Sequence, residues 1–111
     1  MNSHLINIAI LDSVPKMHWN VDNGITDGQK FVSLLEPDNK SVKFDIFYVS
    51  EYEFPENIAS YDGYLLTGSP ASVHDNYEWI KMLSEFIDKA HNKNKPIVGV
   101  CFGHQLIAKH F

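Results

Sequence analysis

Cys101, the chain's one cysteine, stands in the closing run PIVGVCFGHQLIAKHF (Pro96–Phe111), with Gly99 two residues before it and Gly103 two residues after. A nucleophile at a sharp strand-to-helix turn is pushed outward, and small residues on either side let the backbone take that turn without a clash. Gly99 and Gly103 occupy those two flanking positions, so Cys101 reads as a nucleophile on an elbow. A helix beginning near Phe102 would aim its positive end at the sulfur and favour thiolate over thiol. That help matters, because a thiol with a pKa of about 8.5 is only slightly ionised near neutral pH. The competing reading is a buried cysteine packing as a small hydrophobe. The paired glycines weigh against it.

A thiolate that attacks an amide carbonyl generates an oxyanion, and catalysis then needs N–H donors fixed where the charge appears. The backbone N–H of Phe102, next after the nucleophile, is one natural donor. The second is expected from a neighbouring loop. TGSPAS follows the third apolar run, and its Gly68-Ser69-Pro70 stretch can offer the Gly68 or the Ser69 N–H. Taken alone, the same residues read as an ordinary turn.

Positioning these groups requires strands that end where the two loops begin. Four short runs rich in β-branched and aromatic residues read as strands: INIAILD (Ile6 to Asp12), FDIFYVS (Phe44 to Ser50), GYLLTG (Gly63 to Gly68) and PIVGVC (Pro96 to Cys101). The first, third and fourth are nearly continuous in apolar character, as expected of parallel strands covered on both faces. ITDGQKFVSLLEP sets Thr26 three residues before Gln29 in a capping-box pattern, puts Phe31, Leu34 and Leu35 on one face and stops at Pro37. NYEWIKMLSEFIDKAHNKNK repeats Trp79, Ile80, Leu83, Phe86, Ile87 and Ala90 at helical spacing, with Glu85 and Lys89 on the wet side. Asp75 and Glu78 read as caps for that helix. FPENIAS is expected to add at most one turn, with Pro55 at its start. Alternation of strands and helices predicts the α/β class: a doubly wound, flavodoxin-like, mostly parallel sheet with flanking helices. Ligands of such sheets bind beyond the carboxyl ends of the strands, where both TGSPAS and CFGHQ fall.

Composition narrows the function. With 111 residues there is room for one domain, and 44% hydrophobic with 21% charged residues is ordinary for a folded chain. A formal net charge of -5 argues against nucleic acid as a partner. No apolar run approaches the roughly 20 residues that span a bilayer, so no membrane role is expected. The first residues lack the features of a secretory signal and a lone cysteine excludes an internal disulfide, which together point to the cytoplasm. His4, His18, His74, His91, His104 and His110 show no ligand spacing, so no metal is expected. LDSVPKMHWN, after the first strand, lacks the glycines of a phosphate cradle, which disfavours a cofactor binder; no cofactor is expected.

YDGYLLTGSPASVHDNYEWI together with KPIVGVCFGHQLIA resembles the amino-terminal half of a class I glutamine amidotransferase domain, as in the glutaminase part of GMP synthase and in γ-glutamyl peptidases. Gly99, Cys101, Gly103, His104 and Gln105 match that family's nucleophile signature, and Gly68, Ser69 and Pro70 correspond to its oxyanion loop, with serine in place of a glycine. The resemblance implies that Cys101 attacks the side-chain amide of glutamine, that ammonia leaves and that water resolves a γ-glutamyl thioester. It further implies that Gln105 lines the pocket for the glutamyl group. The family completes its triad with a downstream His-x-Glu pair, and no histidine here has a carboxylate two residues later. His104 would have to fold its ring back over its own helix end to serve as the base, and His74 reads as a loop residue. Residues 1–111 are therefore expected to be the amino-terminal part of such a domain, truncated after the nucleophile helix and inactive alone. The expected partners are a glutamine or γ-glutamyl substrate, and a synthase domain or the missing carboxyl-terminal half. A γ-glutamyl peptidase and a non-catalytic binding module remain the alternatives.

Overall fold

The computed structural model describes residues 6–14, 26–35, 41–67 and 77–99. The four apolar runs become four strands, β1 (Ile6–Asp12), β2 (Val42–Tyr48), β3 (Gly63–Leu66) and β4 (Ile97–Gly99), in a sheet of order β2-β1-β3-β4. Every pairing is parallel. Helix α1 (Asp27–Leu35) connects β1 to β2, and helix α2 (Glu78–Asn92) connects β3 to β4. The chain steps outward in opposite directions from the two central strands, so right-handed crossovers put the helices on opposite faces. Side-chain alternation agrees. Ala9, Leu11, Tyr64 and Leu66 pack with α2 in one core cluster, whereas Asp12 and Ile46, from the other face, meet the start of α1 at Gly28.

Helix α2 buries Trp79, Ile80, Leu83, Phe86, Ile87 and Ala90, the set its periodicity predicts. It ends in a left-handed residue, Asn94 (φ 59). The N–H of Lys95 donates to Ala90 O at 3.0 Å and that of Asn94 to His91 O at 2.9 Å, so the last carbonyls are satisfied before the chain turns into β4. The amino end differs from expectation. Tyr77 is the N-cap and its side chain makes no capping bond, while Glu78 begins the helix rather than capping it. Asp75 lies outside the described residues.

The capping box of α1 forms: Thr26 N–H donates to Gln29 Oε1 at 2.9 Å, and Gln29 N–H to Thr26 Oγ1 at 3.3 Å. Its apolar face is less buried than the pattern suggests. Leu34 is 73% exposed and Leu35 is also in solvent, because the helix is tied to the sheet by its first turn and not by its last. Gly28 permits that approach: an added Cβ would lie 2.8 Å from Ile46 Cγ2 and 3.2 Å from Asp12 Oδ2.

Two boundaries shift. β2 starts at Val42 and stops at Tyr48, because Val49–Glu51 wind into a 3-10 turn closed by Tyr52 at φ 67. The turn expected at Pro55 forms instead at Ile58–Ser60, where the Asn57 side chain accepts from Ala59 N–H at 3.0 Å.

Candidate active site

The ends of the three strands β1, β3 and β4 lie level. Leu11 pairs with Leu66, and Leu66 with Gly99. One residue further, the Thr67 N–H donates to Leu11 O at 3.2 Å and the Thr67 hydroxyl oxygen accepts from the Ser13 N–H at 2.9 Å. These two bonds extend the β1–β3 ladder past the end of β3 and fix where the chain departs toward Gly68. Thr67, Ser13 and Asp12 are all fully buried.

Asp12 ties β1 to the helix that follows it. Its Oδ2 accepts from the Gly28 N–H at 2.9 Å and its Oδ1 from the Val14 N–H at 3.0 Å. A carboxylate at the amino end of α1 is stabilised by the unpaired N–H groups and the positive end of the helix dipole. The neighbouring Ser50 hydroxyl donates to Val14 O at 2.9 Å, so the 3-10 turn after β2 also braces this edge.

Gly99, expected from the sequence to be the first of two glycines flanking an elbow, is the last residue of β4. Gly68, Ser69, Cys101, Phe102, Gly103 and Gln105 lie outside the described residues. Their points of departure are nonetheless defined. Gly68 follows Thr67 directly and Cys101 is two residues beyond Gly99. Neighbouring strands run about 4.8 Å apart and each residue reaches about 3.5 Å at most. His91 belongs to the last turn of α2, which leads into the opposite, amino-terminal edge of the sheet. Among the described residues no group of three His, Cys, Asp or Glu could hold a metal ion, and no helix is long and apolar enough to cross a membrane.

Sequence reasoning passed over Asp12, Ser13 and Thr67. A signal existed: each is a polar residue at the end of an otherwise apolar parallel strand, where polar side chains mark the functional edge of an open α/β sheet.

A four-stranded parallel sheet of order β2-β1-β3-β4 with helices on both faces is the doubly wound α/β class. The chain belongs to the family "Glutamine amidotransferase class-I", whose model matches residues 21–111. Among curated relatives, γ-glutamyl peptidase 4 of Arabidopsis thaliana is 40% identical over 81 residues, which are 71% of this chain and 32% of that protein. The glutamine-hydrolysing GMP synthase of Wolbachia sp. subsp. Brugia malayi (strain TRS) is 40% identical over 57 residues, 50% of this chain and 11% of that one. The chain thus spans about a third or less of the length of the curated relatives it matches. In the solved glutamine amidotransferase of Thermotoga maritima the same fold recurs, with a TM-score of 0.73 at 19% identity, covering 96% of this chain and 43% of that one.

Proposed function

We propose that this chain is the nucleophile-bearing, amino-terminal part of a class I amidotransferase domain that cleaves the γ-amide of glutamine or of another γ-glutamyl compound. The observation that carries the reading is the level pairing of Leu66 with Gly99. It supports a site in which the Gly68–Ser69 loop and Cys101 leave adjacent parallel strands at the same height.

The Cys101 sulfur, as thiolate, forms a bond to the amide carbon while the carbonyl π electrons move onto oxygen. The N–H groups of Phe102 and of Gly68 or Ser69 receive that negative charge. When the tetrahedral intermediate collapses, the C–N bond breaks and ammonia leaves with a proton. Water then attacks the γ-glutamyl thioester and returns the thiolate. Gln105 contacts the glutamyl group. The base that deprotonates the thiol and the acid that protonates the leaving nitrogen come from a His-x-Glu pair supplied by a carboxyl-terminal half that this chain partners. The ammonia passes to a synthase domain or to solvent. Such a reaction is at home in the cytoplasm.

The γ-glutamyl peptidase reading is favoured over a synthase-linked one by extent of likeness. The peptidase similarity covers 71% of this chain against 50% for the GMP synthase.

A covalent competition tests the site. In the full chain, a chloromethyl ketone carrying the glutamine side chain is expected to alkylate Cys101 faster than a chloromethyl ketone of equal intrinsic reactivity without it, and Cys101→Ala to abolish both adducts by mass spectrometry. Equal rates would mean an exposed thiol with no γ-glutamyl pocket.

A further inference from the structure

Tyr52 stands at φ 67 and ψ 23, in the left-handed region. The other non-glycine residue with positive φ among the described residues is Asn94, a type that tolerates this conformation, whereas a bulky aromatic there is an outlier. The turn needs the backbone shape and not the ring: the Tyr52 N–H donates to Val49 O and the Glu53 N–H to Tyr48 O, each at 3.0 Å. Glycine or asparagine would close the same turn with less strain. Burial does not account for the choice either, because Tyr52 is 55% exposed. Backbone strain that neither the turn nor the core requires concentrates where a side chain is held out for a ligand.

Together with Phe54, Met82, Glu85, Phe86 and Lys89, Tyr52 lines a cavity of about 300 Å³, at the lower end of the roughly 300–1,000 Å³ of small-ligand sites. Its apolar side is anchored: Phe86 is buried and meets Tyr64 of β3 edge-on at 5.2 Å, and Phe54 packs on Phe86 with ring centres 5.9 Å apart. Its charged side is open to solvent, where Glu85 and Lys89 stand one turn apart on the exposed face of α2. Among the described residues neither of these charges has a salt-bridge partner. A carboxylate and an ammonium side by side above an aromatic slot match the ammonium and carboxylate that an α-amino acid carries on a single carbon. We propose that this cavity binds a free α-amino acid with an apolar side chain: its ammonium on Glu85, its carboxylate on Lys89, and its side chain against Tyr52, Phe54 and Phe86. The proposal does not rest on the amide chemistry above, since it uses none of the residues assigned to that reaction.

The test titrates the full chain with phenylalanine, phenylalaninamide and N-acetylphenylalanine by calorimetry. Phenylalanine is expected to bind with a Kd of about 1 mM or tighter. The amide lacks the carboxylate and the N-acetyl form lacks the ammonium, so each binds about fivefold more weakly, the most that one solvent-exposed ion pair supplies. Lys89→Met then removes the preference over the amide, and Glu85→Gln the preference over the N-acetyl form; both positions are exposed, so the fold tolerates the change. Tyr52→Gly takes away the ring and the strain together, leaving the melting temperature unchanged or raised while affinity for phenylalanine falls about tenfold. Tyr52→Asn, which also accepts the left-handed conformation, gives the same loss. Equal binding of the three compounds would reduce the site to an apolar groove and overturn the proposal. No saturable binding of phenylalanine up to about 10 mM, or full affinity in both Tyr52 variants, would overturn it as well. So would a melting temperature lowered by several degrees in both variants, which would show the ring to be packing and not a ligand contact.

Discussion

Thr67 joins β3 to β1 through both its backbone and its side chain, and the two bonds have different consequences for substitution. The backbone bond to Leu11 O survives any residue but proline, whereas the bond from Ser13 N–H needs the hydroxyl oxygen. Thr67→Val keeps the shape and removes that acceptor, leaving a buried N–H unmatched. It is expected to lower stability by about 1–3 kcal/mol, read as a lower urea midpoint, whereas Thr67→Ser, which keeps the hydroxyl acceptor, retains most of the stability. A midpoint unchanged in Thr67→Val would show that the bond contributes nothing to the fold. The Ser13 N–H that donates this bond is fully buried, so it has no route to water when the acceptor is removed.

At the scale of elements, the two helices show when periodicity can be trusted. The apolar stripe of α2 lies over Ala9, Leu11, Tyr64 and Leu66 and is buried along its whole length. Leu83, fully buried at its middle, has no room for compensation. Leu83→Ala is expected to cost about 2–5 kcal/mol, measured by urea unfolding; a cost well under that range would mean the helix can collapse onto the cavity. The triplet Phe31, Leu34 and Leu35 of α1 has the same spacing, yet Leu34 is in solvent. Spacing identifies a helix face. It does not say how far the sheet extends beneath it, and here the contact is made by Gly28 and the Asp12 carboxylate.

Across the whole molecule the two sheet faces differ in character. The α2 side carries an aromatic cluster in which Tyr64 meets Phe86 edge-on at 5.2 Å and Tyr61 meets Phe47 at 5.6 Å. On the α1 side, Val98 of β4 is 57% exposed. Burial pushes the Tyr64 hydroxyl up to about 12. Tyr61 is also raised to about 12, first by burial and then by its hydrogen bond to Asp45 and that carboxylate's charge; the Tyr61 hydroxyl donates to Asp45 Oδ2 at 2.7 Å. Both groups are harder to ionise folded than unfolded, where the value is near 10.0. Their contribution to stability is therefore complete below pH 10 and declines as pH rises toward 12. Urea midpoints measured from pH 9 upward should fall through that window, and less steeply in Tyr61→Phe; a flat profile would contradict the assignment.

Much of this was legible in the chain itself. Apolar runs of strand length, the helical stripe of α2 and the Thr26–Gln29 capping box are all local patterns, set by residues a few positions apart whose geometry follows from propensity and period. Order within the sheet, the level ends of β3 and β4, and the Ser13–Thr67 bond were not. That bond joins residues 54 positions apart, and no local rule couples them; only the packing of parallel strands brings their ends together. Residue types thus determined the strands, the main helix and the candidate nucleophile. Tertiary structure decided which polar groups share the edge where that nucleophile's strand ends, because burial and hydrogen-bond partnership belong to the assembled sheet and not to any one of its segments.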